Sequence, residues 1–484
     1  MRGAEMSKSS VWQPSLTLMN QARIEQLHDA ATNILEETGL NVHHPGVRGK
    51  LADAGANLGE APCVYIPADM VEQALSTAKK QEEVVVHNRL GEPVMPLGPH
   101  QIYFGTGSDL ISTIDAETLE HRDSLLEDVG RAARVCDALD DIDFVMSFSM
   151  PHDVPNEDAE PRQYYEMVHN TIKPVIMTSF SGLDALERMH EMACIIAGGD
   201  EAFRQRPNYV MYGQFVSPLQ HDLQAVERLV FCAEHKVPLI YVPTIMCGVS
   251  GPLTLFGSLA LATAECLGGL VMHQTQRPGA PFIFGACVGP LDMRTTLFPY
   301  GSPEWRLNDL VMAEMSRHYG LPVFGTAGAA DSKTVDAQAG AEYASSLLVA
   351  AMAGTNLIHD VGYLESGLCG SLESIVLGAE QIRWVKQFVG GVKVSPETLA
   401  LDAIADVGPA GDFLSHDHTL KYLRRTMWVP YVTDRDNYDS WTAGGARDYA
   451  TRARQYAREL VQSHKPEHID DSTDAKLKEL CNMS

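Results

Sequence analysis

Basic side chains are scarce in this 484-residue chain: 37 Lys and Arg stand against 63 Asp and Glu, a formal net charge of −26. Nucleic acid is thereby a poor partner, because binding its backbone depends on clustered cations that neutralise phosphates. No CxxC pair occurs among the nine cysteines, which read as reduced packing residues of a cytoplasmic protein. The N-terminus MRGAEMSKSSVWQPSL lacks an unbroken apolar core, and no later segment reads as an uncharged membrane span, which disfavours export and insertion. Missing too are a GxSxG elbow, a Walker loop and HExxH. Nucleophilic hydrolysis, nucleotide phosphoryl transfer and a helical zinc site lose ground accordingly. His43 with His44, and His416 with His418, lack a third ligand at a recognisable spacing, so no metal is expected.

What the chain does have is a repeat of strand-like runs. Eight fall between residues about 102 and 362: QIYFGTGSD, IDFVMSFSM, KPVIMTSFS, NYVMYGQFVSP, VPLIYVPTI, APFIFGACVGPLD, LPVFGTAGAAD and NLIHDVGYLES. Most precede a helical stretch, and near-continuous hydrophobicity fits strands buried on both faces of a parallel sheet. The count predicts an α/β fold, a (β/α)8 TIM barrel over residues 101–390. Residues 1–100 are expected to form a mostly helical cap and 391–484 an extension wrapping the barrel or a partner subunit, with a homo-oligomer as the expected state. The rival is an open doubly wound sheet, but GTGSDL at 105–110 lacks the third glycine of a phosphate loop.

Residues just past the strand ends of such a barrel converge on one site. Here they are mostly aromatic and uncharged, from Tyr103, Phe104 and Asp109 on the first run to His359, Asp360 and Tyr363 on the last. That rim suits neither a sugar phosphate, which calls for an anion cradle, nor a glycosidase with paired carboxylates. It suits a cation: aromatic faces attract a quaternary ammonium group by roughly 0.5–2 kcal/mol each in a dry site. Some of the same rings could equally fill the barrel interior.

Three separated motifs, IYFGTGSD (102–109), GTAGAADSKTVDAQAGAEY (325–343) and HDVGYLESG (359–367), together resemble the trimethylamine methyltransferase family, in the branch without pyrrolysine. The resemblance covers nearly the whole chain. It implies a TIM-barrel enzyme that moves a methyl group from a methylated amine to the cobalt of a cognate corrinoid protein. Pyrrolysine, carried by the archaeal trimethylamine enzymes, has no counterpart here; relatives without it act on quaternary amines such as glycine betaine, carnitine or proline betaine. The implied substrate is therefore a quaternary amine, with glycine betaine first as the smallest. Such a compound already has a neutral amine leaving group, so direct SN2 attack by Co(I) needs no covalent helper or Lewis-acid metal. A DxHxxG cobalamin motif is absent, which assigns the corrinoid to the partner protein.

On this reading Tyr103, Phe104, Phe215, Tyr300 and Tyr363 are candidates for an aromatic box, with only one of Tyr103 and Phe104 able to turn inward. His359, beside Asp360, is the expected donor to a substrate carboxylate, with Gln214 and Thr326 as further donors. Glu365 or Asp331 would complement the ammonium group. Two other readings stay open: a lyase or hydrolase using His359 and Asp360 as an acid–base pair, and a betaine-binding protein without catalysis.

Overall fold

A computed structural model of the chain describes residues 10–483. Seven strands form one curled parallel sheet: β1 Tyr103–Phe104, β2 Val175–Thr178, β3 Tyr209–Phe215, β4 Leu239–Cys247, β5 Phe282–Gly285, β6 Val323–Thr326 and β7 Leu357–His359. They are ordered β2-β3-β4-β5-β6-β7-β1, and a short strand, Cys287–Pro290, extends the sheet beside the far half of β4. This is sequence order with the first strand set beside the last. It contains no reversal at which a doubly wound sheet would open its ligand crevice. The free edges, β1 and β2, are both touched by residues 144–145, where Gly105 bridges Phe144 and Val145 bridges Val175.

Alternation along the strands sorts the side chains. Ile176, Val210, Tyr212, Ile240, Val242, Ile283, Phe324 and Leu357 share one cluster inside the curl. Their neighbours Met177, Met211, Tyr241, Phe284, Val323 and Ile358 belong to the cluster under the helices. Helices such as Leu183–Ala197, Leu223–His235, Leu255–Gln276 and Leu372–Val389 follow the strands and cover that outer face. Leu255–Gln276 is long and apolar enough to cross a membrane, yet 83% of its most apolar window is buried within the protein.

The N-terminal region mixes helix and strand, where a mostly helical cap was expected. Helices Gln21–Asn33, Pro45–Asp53 and Ala68–Thr77 accompany a small sheet of Leu40–Val42, Asn57–Leu58, Cys63–Tyr65 and Gln220–His221. Strands of two or three residues are too short to show a period in sequence. A hairpin, Val85–His87 with Pro93–Pro96, lies at the N-terminal end of the curl, and its Val86 and Met95, with Val84 and Leu97, are buried in the interior cluster.

Half-buried charged groups hold the irregular stretch between β1 and β2. The Lys173 ammonium donates to the carbonyls of Cys136 (2.6 Å), Leu139 (2.7 Å) and Ile142 (2.6 Å). Asp143 accepts from the Phe104 amide at 2.8 Å and from Lys386 Nζ at 2.9 Å.

Glu265, fully buried on helix Leu255–Gln276, accepts from Ser217 Oγ at 2.8 Å and from the Leu219 amide. Burial pushes its carboxyl up from 4.5 to about 7. Between those values the native chain holds a proton that the unfolded chain has released, so stability falls as pH rises through the window, by about 3 kcal/mol. Glu265→Gln keeps both contacts, its amide oxygen accepting and its NH2 donating. Thermal melts followed from about pH 4.5 to 7 should lose most of this decline in the variant.

Candidate functional site

At the C-terminal ends of the strands, three tyrosines surround two carboxylates. β7 runs directly into Asp360, whose φ of +75° is left-handed, a conformation that costs a residue with a side chain roughly 1 kcal/mol or more. The turn is held by the Val361 amide on the Gly105 carbonyl (3.2 Å) and the Tyr363 amide on the Asp360 carbonyl (3.1 Å). It aims Asp360 and Tyr363 at the chain leaving β1, where only glycine fits. A Cβ on Gly107 would lie 2.3 Å from Asp360 Oδ1 and 2.2 Å from the Tyr363 hydroxyl. Two residues on, the Asp109 amide donates to that hydroxyl at 2.9 Å, while Asp109 Oδ1 accepts from Ser108 Oγ at 2.6 Å.

Tyr300 arrives from the loop after Cys287–Pro290. Asp331 fixes it by accepting from the amides of Tyr300 (2.9 Å) and Gly301 (3.1 Å). The Tyr300 ring stacks on Trp305 at 4.9 Å and meets Tyr363 edge-on at 6.4 Å. Phe148 backs Tyr363 at 6.2 Å. The third ring, Tyr212 on β3, is 5.7 Å from the His359 ring, and its hydroxyl accepts from Gln214 Nε2 at 2.6 Å. Burial, with Asp109 nearby, pushes all three tyrosine hydroxyls well above the ordinary phenol range, so the rings stay neutral phenols.

The acids share this environment. Burial pushes the Asp360 carboxyl well above its ordinary range, and the Asp109 charge adds to that; burial also raises Asp109. His359 is driven down to about 4 by burial, so its imidazole is neutral near pH 7. Its Nδ1 is 2.9 Å from the Gly325 carbonyl, which requires the ring hydrogen on that nitrogen and leaves Nε2 as a lone pair. Nε2 lies 3.2 Å from Asp360 Oδ1. Two acceptors facing at that distance need a proton between them, and a protonated Asp360 supplies it. Arg306, on helix Pro303–Tyr319, binds Asp309 and the Thr326 carbonyl, both at 3.0 Å.

Of the residues singled out in sequence, Gln214, Tyr300, Thr326, His359 and Tyr363 come together here. Thr326 Oγ1 lies 3.5 Å from His359 Nδ1. Tyr103, Phe104 and Phe215 lie elsewhere. Tyr103 faces the hairpin end, its hydroxyl donating to the Pro96 carbonyl at 3.0 Å. Phe104 points outward beneath Lys386 Nζ at 5.7 Å, and Phe215 stacks on Tyr241 at 4.6 Å on the outer face. Glu365 turns to the rim and pairs with His121 at 3.3 Å. Asp331 is occupied in holding the Tyr300 loop. Tyr212, Asp109 and Gly107 were not among the chosen binding residues. Tyr212 could have been found from its strand, because it shares a face with Gln214 and Val210 whereas Phe215 cannot.

The histidine pairs have structural work. His44 caps helix Pro45–Asp53, His416 caps Asp417–Thr426, and His43 bonds Gln220 at 3.0 Å. Among the described residues, two other groups, His121 with Glu365 and Cys369, and His190 with Cys194 and Asp200, each place three ligand-capable atoms within 4.8 Å of one another.

The profile of the family described as Trimethylamine methyltransferase (MTTB) matches residues 3–482. A trimethylamine methyltransferase of Desulfitobacterium hafniense strain DSM 10664 / DCB-2 is 31% identical over 455 residues, covering 94% of this chain and 91% of its own. A glycine betaine methyltransferase of strain Y51 of the same species is 29% identical, covering 96% of each. Monomethylamine methyltransferase of Methanosarcina barkeri superposes on 93% of this chain and 88% of its own at 12% identity, with a TM-score of 0.49. With a matched profile that spans almost every residue and a relative above 30% identity over nearly its full length, the chain belongs to the trimethylamine methyltransferase family.

Proposed function

We propose that this protein transfers a methyl group from a quaternary ammonium compound to the Co(I) of a corrinoid carried by a partner protein. The carrying observation is the ring of Tyr212, Tyr300 and Tyr363 around Asp109 and Asp360, a cation-holding arrangement in a chain of this family. The corrinoid would supply the electron pair that forms the new carbon–cobalt bond, and the carbon–nitrogen pair stays on nitrogen as a neutral tertiary amine. The chain's residues hold the ammonium group, fix its orientation and keep water out. An acid–base role for His359 is disfavoured, since its Nδ1 is committed to a carbonyl and its basicity is depressed. The second strand of a closed eight-stranded barrel would be the stretch around 144–149, on the strength of its three parallel bridges.

Partner binding over the mouth fits the loops around it. Ile111, Met150, Phe180, Val216, Val249 and Met293, one from each of six successive loops, are exposed apolar side chains. Self-association fits the C-terminal region, where helix Asp417–Thr426 buries no residue and exposes Leu420 and Leu423. Replacing both with Asp should lower the mass found by light scattering while leaving the circular dichroism unchanged. Nine free cysteines, seven of them buried, fit a cytoplasmic setting.

The test is anaerobic incubation with Co(I) cobalamin and methylated amines, read by the methyl-Co(III) spectrum. Glycine betaine is one arm, given the relative of that name; choline and tetramethylammonium, which share the ammonium group, are others. No spectral change with any quaternary amine would end this reading. Tyr363→Ala should raise the dissociation constant of an accepted amine about tenfold, measured by calorimetry.

A further inference from the structure

The sequence alone leaves the rest of the substrate open, and the charges at the mouth narrow it. A betaine carboxylate entering beside the ammonium group would need a cation or a set of free donors. Neither is at hand. His359 is a neutral ring whose hydrogen goes to the Gly325 carbonyl. Arg306, the cation that acts on Asp360, is bound to Asp309 and to the Thr326 carbonyl. The loops that follow the strands contain three further cations, Arg122, Arg294 and Lys333. Arg122 is held by Asp115 and Asp128, and the other two are exposed.

What the mouth offers instead is acid. Asp360 is 3% exposed, held in a left-handed turn against glycine, and its Oδ1 faces, at 3.2 Å, an imidazole that must accept from it. Asp109 shares the Tyr363 hydroxyl region through its amide. Tyrosine rings wall the pair in, so an incoming cation meets aromatic faces and carboxylate together.

Resting on the methyl-transfer reading, we propose that the site takes methylated ammonium ions that have no acidic group, with Asp109 and Asp360 as their counter-charge. Binding then exchanges one cation for another: Asp360 releases its proton to solvent and remains as a carboxylate against the ammonium group. The ionisable groups facing it are Asp109, Asp309, Arg306, His359, Cys287 and the three tyrosines.

Choline and glycine betaine carry the same trimethylammonium group and differ in a hydroxymethyl against a carboxylate. Calorimetry on the full chain with both should show choline at least tenfold tighter. The choline heat should vary with buffer ionisation enthalpy in the sense of proton release, approaching one proton per cation. Asp360→Asn should abolish the proton release and narrow the choline preference, with a thermal melt confirming that the variant folds. If it does not fold, the wild-type comparison still decides. Equal or tighter binding of glycine betaine overturns the proposal. The cobalamin assay run with the same two compounds separates the readings: methyl transfer from betaine but not choline keeps the function and sinks this inference. Preferred choline binding with no methyl transfer from either does the reverse.

Discussion

Gly107→Ala is expected to lower kcat/KM for methyl transfer by at least about a hundredfold while the chain stays folded. The added Cβ would sit 2.2 Å from the Tyr363 hydroxyl and 2.3 Å from both its ring carbon Cζ and Asp360 Oδ1. Neither neighbour has room to yield cheaply. The Tyr363 ring is flanked by Phe148 and Tyr300, and its hydroxyl is anchored to the Asp109 amide. Asp360 is short and fixed by its own turn. One methyl group therefore displaces an aromatic wall and a counter-charge together. Overpacking of this kind costs typically 1–3 kcal/mol of stability, which a protein of this size tolerates. Turnover and a thermal melt on the same sample check both halves. An active variant would mean that the substrate does not depend on where Tyr363 and Asp360 sit.

The largest expected stability effect is at Lys173→Met. Its ammonium is enclosed by the carbonyls of Cys136, Leu139 and Ile142, and burial lowers its ionisation from the usual lysine range. Methionine has similar length and cannot donate, so three buried acceptors lose their partner at about 1 kcal/mol or more each. The loss should total about 3 kcal/mol or more, seen as an earlier urea midpoint. The damage should centre on residues 139–145, the stretch with Asp143 that joins β1 to its neighbour, and hydrogen exchange there should accelerate first. An unchanged midpoint would show that water replaces the ammonium without cost.

Strand order was legible because near-continuous apolar runs have one good home, a sheet buried on both faces. The run at 142–150 was legible too, yet it forms only isolated bridges, and Phe148 within it takes a positive φ. At the site, sequence proximity to a strand end identified Tyr363, Tyr300 and His359, whereas facing was decided by a period of two. Tyr103 and Phe104 illustrate the limit: one turns to the hairpin, the other to Lys386, and neither reaches the mouth. The role of Asp331 as a clamp on the Tyr300 loop depends on a contact across 31 positions, which no local pattern encodes. His359 looked like a donor because it stood beside an acid; burial reversed that, making the acid the donor.

The hairpin Val85–His87 with Pro93–Pro96 carries one more implication. By filling the N-terminal end of the curl with Val84, Val86, Met95 and Leu97, it seals that end with packed apolar side chains. Under the proposed reaction, amine, demethylated product and corrinoid must all use a single doorway. Loading is then compulsory in sequence, the small molecule before the large one, and the amine left behind waits until the partner departs. Excess demethylated partner should accordingly act as its own inhibitor, trapping an unloaded site.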